Sequence, residues 1–531
     1  MEGGNRGLFD YGPPGTALQT NIGDAWRKHF VLEENILELN CTTLPPEPVL
    51  KTSGHVDKFA DWMCKDPVKG EYLRADHLVE SVLESRLSRG LNGPYKDSPK
   101  LEEAGASEYH NTLAKIDNYD GPELRELIKR LDVRNPDGNG EVNPPTPFNL
   151  MFKSTIGPSA AAPVYLRPET AQGQFLNFKK LLGYNQGAMP FASASVGKAY
   201  RNEILPRSGL LRVREFLMAE IEHYAVESSI VDNETLGYFL GRVMLFLLKI
   251  GLLTSYGWIE CVGCADRSAF DLTVHSAYSG SPLVVKEVLS EPVRVEEWQA
   301  VLEKKLVGPR FKSDAKAILT SVEALDQTAL EQLATQLTEK SSTFVELTSD
   351  LLAISKVTRT SNTREYSPNV IEPSFGIDRI LYSLLEQVYW HRPHDAARAF
   401  RSVQVFSLPL AVAPTKVLIV PLSAQPQFMP IAHKLSARLR SLGISNNIDS
   451  SSASIGKRYA RNDEPGTPLG ITVDFDTLAD GSLTLRDRDS MNQLRGSEDE
   501  VIQAVKNPAE GIESWEEISR RLQPSQTAMR T

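Results

Sequence analysis

The chain has 531 residues, which at typical domain sizes corresponds to roughly two to four domains. Its 24% charged and 41% hydrophobic residues are typical of a soluble globular protein, and its net charge of −10 argues against a general nucleic-acid binder, which would be basic. Four cysteines are too few for a disulfide scaffold and favour a reducing compartment. We find no apolar run near the roughly 18 residues of a membrane span and no signal or transit peptide. We therefore expect a cytoplasmic protein, and a mitochondrial form from another start stays open.

The first predicted elements are a long helix, a short strand and a proline turn. Between residues 16 and 34 the apolar side chains fall mostly on one helical face. Residues 36–41 alternate as a strand does, and the strand ends at the prolines of residues 45 and 46. Charges and glycine, asparagine and proline turns dominate residues 76–147, which predicts an inserted module.

The middle of the chain predicts a β-hairpin, further helices and a second insertion. Its elements are, in order, strand 189–202, polar turn 204–209, strand 210–224, helix 235–252, a charged and mostly helical insertion at 285–356, strand 369–371 and helix 376–390.

After a linker at residues 409–414, strands and helices alternate, which predicts a small α/β domain with a mixed sheet. The elements of this domain are strand 417–421, helix 428–442, strand 444–448, helix 455–461, strands 469–475 and 482–486, and helix 498–506.

The predicted hairpin carries the richest group of chemical side chains. Arg201 and Glu203 are two residues apart, so within a strand they point to one face, which Arg212 and Phe216 can share from across the hairpin. Guanidinium groups suit phosphate oxygens, an aromatic face suits a purine, and a carboxylate can accept from an exocyclic amine. These side chains predict an ATP site without a glycine-rich loop. The alternative is a surface hairpin on which charges alternate for solubility.

Residues 372–379 predict a strand-to-helix turn whose helix begins with a cation. A positive charge is unfavourable near a helix N-terminus, and a bound phosphate would explain why Arg379 is tolerated there. The alternative is that Arg379 pairs with Asp378 or with another surface carboxylate.

At these residues the sequence resembles a known family, the class II aminoacyl-tRNA synthetases. Arg201-x-Glu203 with Arg212-x-x-x-Phe216 resembles their second signature, residues 376–379 resemble the third, and the unit of residues 16–46 resembles the first, which in the family builds the dimer interface. Ordered strings across the chain, from about residue 7 to about residue 506, resemble eukaryotic-type glycyl-tRNA synthetase. These strings are residues 11–15, 51–61, 74–77, 149–152, 166–173, 218–223, 263–267, 369–374 and 454–461.

The resemblance implies an ATP site in which Arg201 and Arg379 are catalytic. Arg201 holds the α-phosphate and the substrate carboxylate, Glu203 reads the adenine amine, Phe216 stacks on the ring, and Arg212 and Arg379 hold the outer phosphates. Mg²⁺ bridges phosphates and one or two carboxylates, with Glu260 as the candidate ligand. The complete set of implied ATP-binding residues is Arg201, Asn202, Glu203, Arg212, Val213, Phe216, Glu260, Cys261 and Arg379.

The resemblance also implies a glycine pocket formed by Glu169, Glu220, Glu372, Pro373 and Ser374. Carboxylates accept from the substrate ammonium group, and crowding at the α-carbon rejects a larger amino acid by steric overlap. The alternative is that these glutamates only pair with nearby arginines.

Other conspicuous residues have plainer interpretations. A lone pair, Cys261 and Cys264, lacks the further ligands of a structural zinc site, so we interpret both as buried thiols. Nothing in the sequence demands a chemical role for His55 or His77. The C-terminal domain resembles the anticodon-binding domain of class II synthetases, and residues 416–461 are basic, as phosphate contact favours, or else form a solvated helix face.

The predicted architecture is an α/β (α+β) protein with an antiparallel-sheet catalytic domain, insertions and a mixed-sheet anticodon-binding domain. The predicted boundaries are 1–75, 148–284 and 366–410 for the catalytic domain, 76–147 and 285–365 for the insertions, and 411–531 for the anticodon-binding domain.

The function that the resemblance implies is ATP-dependent activation of glycine and its transfer to the 3′ end of tRNA(Gly), by a homodimer without membrane contact. Family members usually carry a segment before Tyr11 that we do not find in the sequence. Two alternatives come from other classes: a synthetase-like protein that binds RNA or protein with impaired catalysis, and a ligase that joins an amino acid to a non-tRNA acceptor.

Overall fold

The computed structural model gives two compact units, Met1–Leu283 with Asn369–Thr531, and Val284–Pro368. The described residues are 7–88, 103–137, 140–158, 162–204, 206, 209–226, 229–252, 283–323, 325–340, 347–348, 351–392, 404–423, 425–509 and 511–525. None of the helices within these ranges is long and apolar enough to cross a membrane.

The first unit is built on a five-stranded sheet whose centre is the predicted hairpin. Its strands Phe191–Tyr200 and Glu215–Ala225 pair antiparallel along their length, which confirms the hairpin. Asn369–Ile371 and Ser374–Gly376 continue the antiparallel pairing beside the second strand. Leu37–Glu38, the predicted strand after the first helix, pairs parallel at the opposite edge.

One face of this sheet carries the hydrophobic core. Side chains alternate between the two faces of a strand, so Ala194 and Ile221 point into the core together. Helices Pro13–Trp26, Ser229–Lys249 and Ile377–Val388 supply the rest of this core. The first helix starts with prolines, whose missing N–H groups cost nothing in the first turn, and continues into a π-helical turn, Arg27–Leu32. The opposite face of the hairpin is left for the candidate site.

A smaller group of elements has an apolar cluster of its own and includes the predicted insertion 76–147. Its strands are Ala60–Lys65, Tyr72–Arg74 and Thr146–Asn149, and its helices are Ala75–Ser88, Glu103–Leu113, Ile116–Asn118 and Gly121–Arg130. Asp120 starts the last of these helices with a capping box that Glu123 completes. The other short elements of the first unit are helices Glu47–Thr52, His55–Lys58, Ala171–Leu176 and Phe178–Tyr184, and strands Lys153–Ile156, Ala162–Tyr165, Tyr389–His391 and Gln404–Phe406.

The second unit is an antiparallel ribbon with three helices. Val285–Leu302 pairs with Leu352–Tyr366, and the register shifts between Ser361 and Thr363. The helices are Lys304–Phe311, Ala315–Glu323 and Gln327–Lys340, with a 3-10 turn at Lys312–Asp314. The prediction of a mostly helical segment was wrong for the two strands. A two-stranded ribbon has few residues to bury, so charges occur on both faces and hide the alternation that identifies a strand.

The C-terminal elements form the predicted α/β domain with a six-stranded mixed sheet. Three strands are parallel, Asn446–Ile448, Val417–Pro421 and Leu469–Val473, and three follow antiparallel, Ser482–Asp487, Gln493–Ser497 and Gln523–Pro524. The helices are Phe428–Ser441, Ile455–Asp463, Phe475–Asp480, Glu498–Ala509 and Trp515–Arg521. The sequence prediction lacked strand Gln493–Ser497, which is short and polar, and helices Phe475–Asp480 and Trp515–Arg521, each only two turns long or less.

The predicted linker lies between the five-stranded sheet and the C-terminal elements, and burial and hydrogen bonds fix its position. Val412 and Ala413 are buried in the core of the five-stranded sheet, and both carbonyls accept from the Asn21 side chain at 3.0 Å. Lys416 Nζ donates to the carbonyls of Leu410 and Ala411 at 2.7 and 2.8 Å. Burial lowers the pKa of Lys416 to about 8.

Candidate active site

The arginine at the centre of the candidate site, Arg201, lies just beyond the first hairpin strand, which ends at Tyr200. The N–H of Arg201 still donates to the carbonyl of Arg214 at 3.0 Å, but the N–H of Glu203 donates back to the carbonyl of Arg201 at 2.7 Å. The expectation that Arg201 and Glu203 share one strand face was therefore wrong, because the chain turns after Arg201. Arg214 Nε fixes the turn by donating to the Glu203 carbonyl at 2.9 Å.

The Arg201 guanidinium lies between two aromatic rings. Its carbon is 5.3 Å from the centre of the Phe59 ring and 5.6 Å from that of Phe216, both within cation–π range. Arg201 Nε also approaches the Pro168 carbonyl at 3.4 Å. Phe216 stands opposite Ala199 in the hairpin, on the face away from the core. A cation beside an aromatic plane is the arrangement that a nucleotide needs for its phosphate and its base.

Glu203 lies near the positive charges of Arg201 and Arg212. Its Oε2 is 4.0 Å from Arg212 Nε. Burial raises the pKa of Glu203, the charge of Asp61 adds to the rise, and Arg212, Arg201 and Arg74 partly offset it. The site therefore holds an acceptor carboxylate and guanidinium groups within reach of one another.

Arg379 reaches the same place from the helix Ile377–Val388. It stands in the first turn of that helix, as predicted, and its Nε donates to the carbonyl of Leu211 at 2.8 Å. Leu211 precedes Arg212 in the chain. Arg379 therefore contacts the backbone directly before Arg212, and the Arg379 residue is exposed to solvent.

The carboxylate beside Arg379 anchors this helix. Asp378 is buried, with 2% of its surface exposed. Its Oδ1 accepts from the Tyr11 hydroxyl at 2.8 Å and from the Gln19 amide, and its Oδ2 accepts from the Leu217 N–H at 2.7 Å. Burial and the Asp378 charge raise the pKa of the Tyr11 phenol. Asp378 therefore ties the Arg379 helix to the first helix and to the hairpin strand that bears Phe216.

A buried carboxylate, Glu220, forms the floor of the predicted glycine pocket. Its Oε2 accepts from the backbone N–H and the hydroxyl of Thr170 at 2.6 and 2.5 Å. Its Oε1 accepts from the Ser374 hydroxyl at 3.1 Å, and the same hydroxyl contacts Glu372 Oε1 at 3.1 Å. Burial raises the pKa of Glu220, and the nearby charge of Glu169 raises it further.

Glu169 is the second buried carboxylate of the predicted pocket. Its Oε1 accepts from Gln172 Nε2 at 2.7 Å and lies 3.3 Å from His55 Nε2. Burial would raise the pKa of this carboxyl, but the His55 contact, the Gln172 donor and the Arg201 charge together lower it. Since the donors to Glu169 and Glu220 are imidazole, amide and hydroxyl groups, the alternative that these glutamates only pair with arginines does not describe them.

The structure brings most of the predicted site residues together. Backbone hydrogen bonds fix the positions of two of them. The Asn202 N–H donates to the Leu150 carbonyl at 2.6 Å, and the Pro373 carbonyl accepts from the Ile221 N–H at 3.1 Å. Val213, another predicted residue, is buried. The predicted residues Glu260 and Cys261, and also Cys264, lie outside the described residues.

The candidate Mg²⁺ ligand was Glu260 alone. This residue is outside the described ranges, and within those ranges no three His, Cys, Asp or Glu side chains are grouped as metal ligands. The two cysteines that the structure does describe, Cys41 and Cys64, are free thiols.

Sequence reasoning missed several polar and aromatic residues of the site. They are Ser53, His55, Phe59, Arg74, Thr170 and Gln172. All of them lie inside the strings that carry the family resemblance, which is the only signal that could have pointed to them. The contacts of His55 with Glu169, of Phe59 with Arg201 and of Thr170 with Glu220 join segments far apart in the chain, which periodicity cannot reveal.

The predicted basic segment of the C-terminal domain is largely neutralised within the domain. Arg458 is buried and donates to the carbonyls of Pro421, Leu422 and Asp449. Arg461 pairs with Asp449. Lys434 pairs with Glu498 at 3.3 Å, and Arg438 pairs with Glu498 at 2.8 Å and with Asp499 at 2.5 Å. Arg440 and Lys457 are exposed.

Comparison with known proteins gives consistent matches along the whole chain. Residues 416–508 match the anticodon binding domain family. The putative glycine–tRNA ligase of Schizosaccharomyces pombe is 50% identical, over 97% of this chain and 93% of that protein. Mitochondrial glycine–tRNA ligase 1 of Saccharomyces cerevisiae is 47% identical over 99% and 90% of the two chains, and glycine–tRNA ligase of Methanothrix thermoacetophila is 34% identical over 96% and 94%. A solved prolyl-tRNA synthetase of Cryptosporidium parvum aligns with 98% of this chain and 73% of its own at 9% identity and a TM-score of 0.42.

These relatives come from fungi and an archaeon, and each aligns over nearly its full length. The matched lengths cover the elements around the candidate site as well as the C-terminal domain. The chain therefore belongs to the glycine–tRNA ligase family of class II aminoacyl-tRNA synthetases.

Proposed function

We propose that the chain activates glycine with ATP and transfers the glycyl group to the 3′ end of tRNA(Gly). One observation carries this function: the charge of Arg201 lowers the pKa of Glu169 in the acidic pocket and also that of Glu203 beside Arg212, so its guanidinium lies near both carboxylates. A single guanidinium can therefore contact the substrate carboxylate and the α-phosphate together. The family membership of the chain supports the same reaction.

ATP binds, in this proposal, along the hairpin face. Phe216 stacks on adenine, Glu203 accepts from its exocyclic amine, and Asn202 and Val213 shape the base pocket. Arg212 and Arg379 bind the outer phosphates, which folds the nucleotide back over Arg201. Guanidinium groups are suited to this role because their donors match pairs of phosphate oxygens.

Glycine binds with its ammonium group in the acidic pocket. Glu169 and Glu220 accept from the ammonium, while Glu372, Pro373 and Ser374 close the opposite side. A missing methylene changes affinity by only about 1–3 kcal/mol in a hydrophobic pocket, so selection against alanine needs steric overlap. Ser374 is paired with Glu220 on the neighbouring strand, and its hydroxyl is the group that limits the space beside the α-carbon in this proposal.

Activation requires positioning and charge neutralisation rather than a protein nucleophile. A glycine carboxylate oxygen attacks the α-phosphorus, the bond to the bridging oxygen breaks, and pyrophosphate leaves with that electron pair. Arg201 neutralises charge that develops on the α-phosphate in the transition state. A terminal ribose hydroxyl of tRNA then attacks the adenylate carbonyl, loses its proton, and AMP leaves. Mg²⁺, when bound, neutralises the phosphates of ATP.

The other parts of the molecule supply the partners. Residues 416–508 bind the anticodon arm, and the helix and edge strand of residues 16–46 form a homodimer contact. Sedimentation velocity tests the dimer, and a single monomer species at micromolar concentration would contradict it. We place the enzyme in the cytoplasm, although one relative is named as mitochondrial.

A charging assay with purified tRNA tests this function. We expect glycine to be attached to tRNA(Gly) in an ATP-dependent reaction, and the variants Arg201→Ala and Arg379→Ala to lose at least about a hundredfold in rate, since each removes charge stabilisation. Arg125→Ala, an exposed arginine elsewhere, is the matched control and should charge normally. Binding of tRNA without charging would instead indicate an impaired synthetase-like protein.

A further inference from the structure

One segment outside the signature residues reaches three parts of the candidate site. Between residues 53 and 61, His55 contacts Glu169, Phe59 lies beneath Arg201, and Asp61 is 3.4 Å from Arg74 near Glu203. We call residues 53–61 the histidine segment. The proposed function uses no residue of this segment. The role of His55, whose imidazole contacts the glycine pocket, is therefore unexplained.

The backbone holds His55 in a fixed place. Gly54 has a φ of +80°, a left-handed conformation that L side chains rarely adopt, and it turns the chain into the short helix His55–Lys58. Asn149 Nδ2 donates to the carbonyls of His55 and Val56 at 3.3 and 2.9 Å. His55 itself is buried to the extent that 13% of its side chain is exposed. The imidazole is therefore positioned by the fold rather than by a substrate.

The contacts of the ring determine which nitrogen donates. His55 Nδ1 lies 2.8 Å from the Ser53 hydroxyl, which also contacts the Leu50 carbonyl at 3.2 Å. His55 Nε2 faces Glu169 Oε1 at 3.3 Å. Because a carboxylate only accepts, Nε2 must carry the proton, and Ser53 can serve as either donor or acceptor at Nδ1. The ring thus points a donor at Glu169.

The two carboxylate oxygens of Glu169 differ in their hydrogen-bond partners. His55 and Gln172 both approach Oε1, and Oε2 accepts no hydrogen bond from any residue that the structure describes. Oε2 is therefore the oxygen available to a ligand. A buried carboxylate beside Glu220 would gain a proton if its donors were removed, because burial and a like charge both disfavour ionisation.

We propose that His55 is a positioning residue for glycine: its Nε2–H holds Glu169 ionised and oriented so that Oε2 accepts from the substrate ammonium group. This inference rests on the proposed function, because it concerns the same amino-acid pocket. His55 does not touch the reacting atoms. It acts on substrate selection through Glu169, and ATP binding, which uses the other side of Arg201, is independent of it.

Glycine-dependent ATP–pyrophosphate exchange tests the inference with three variants. His55→Ala should raise the glycine KM about 10- to 100-fold, the range for losing a hydrogen bond to a charged group, with the ATP KM changed less than about twofold. His55→Gln should bring the glycine KM back to within about threefold of wild type, because its amide nitrogen can occupy the place of Nε2 and still donate. His110→Ala, an exposed histidine of the insertion, is the control and should match wild type.

The possible outcomes separate this inference from the function it rests on. Wild-type exchange with an unchanged glycine KM in His55→Ala overturns the inference alone. So does a rise in both KM values together, or a His55→Gln variant as impaired as His55→Ala, since each would indicate a general structural role. Absence of glycine-dependent exchange in wild type overturns the proposed function and the inference with it.

Discussion

The Asp378 carboxylate offers a sharp test of how the site is assembled, because the variant Asp378→Asn changes its hydrogen bonding with almost no change in shape. In the native protein both oxygens only accept, from Tyr11 and Gln19 on one side and from the Leu217 N–H on the other. An asparagine has one oxygen and one NH₂ group. In either orientation its NH₂ group faces a donor.

The cost follows from these contacts. If the asparagine oxygen keeps Tyr11 and Gln19, the Leu217 N–H loses a bond to a charged acceptor and is left buried without a partner. Together these effects cost about 2–4 kcal/mol of unfolding free energy. Tyr11→Phe, which removes one donor and leaves the carboxylate two others, should cost only about 0.5–1.5 kcal/mol. Asp10→Asn makes the same chemical change on an exposed side chain and should have almost no effect.

Equilibrium urea denaturation of the three variants measures this order. The change in unfolding free energy is the shift in midpoint multiplied by the common m-value. We also expect Asp378→Asn to raise the ATP KM in pyrophosphate exchange, because Asp378 ties the Arg379 helix to the strand that carries Phe216. The reasoning is refuted if Asp378→Asn is as stable as Asp10→Asn, or if Tyr11→Phe is the more damaging change.

Two further predictions concern the adenine side and the packing beneath the site. Because the pKa of Glu203 is raised above its usual 4.5, this carboxylate gains its proton at a higher pH than an ordinary glutamate, and the ATP KM should rise as the pH falls from 7 towards 5. Glu203→Gln keeps an acceptor but cannot titrate, so it serves as the control. Dividing the ATP KM of the native protein by that of Glu203→Gln at each pH removes the effect of the titration of ATP itself. A ratio that stays constant with pH would contradict the assignment. Gly197→Ala would place a methyl group 2.0 Å from Nη2 of Arg167, whose guanidinium binds two backbone carbonyls, and should cost at least about 1.5–3 kcal/mol in urea denaturation. Gly183→Ala, in a helix with open space around the new methyl group, is the matched control and should stabilise by about 0.5–1 kcal/mol; equal effects of the two changes would contradict the packing argument.

Much of the fold could be predicted because its signals are local. The hairpin strands, the helix that carries Arg379 and the alternating C-terminal elements each follow from periodicity, and the structure confirms them. The ribbon strand Val285–Leu302 could not be predicted in the same way, because its many charged residues interrupt the apolar alternation that identifies a strand.

In the candidate site, too, local groupings could be predicted from the sequence and contacts between distant segments could not. Arg201, Glu203, Arg212 and Phe216 could be grouped from the sequence because one hairpin carries them all. The pairing of His55 with Glu169 could not, because it joins two segments whose distance in the chain says nothing of their distance in space. Even the grouping of Arg201 with Glu203 was right for the wrong reason, since a turn rather than a strand brings them together.

The central claim is that one cleft holds the adenine, the phosphates and the glycine around Arg201. A crystal structure with a non-hydrolysable glycyl-adenylate analogue tests it most directly. We predict the adenine on Phe216 with its amine at Glu203, the phosphate mimic at Arg201, and the ammonium group within hydrogen-bond distance of Glu169 Oε2 and Glu220. An analogue bound elsewhere, or bound with its ammonium group away from both glutamates, would contradict the account.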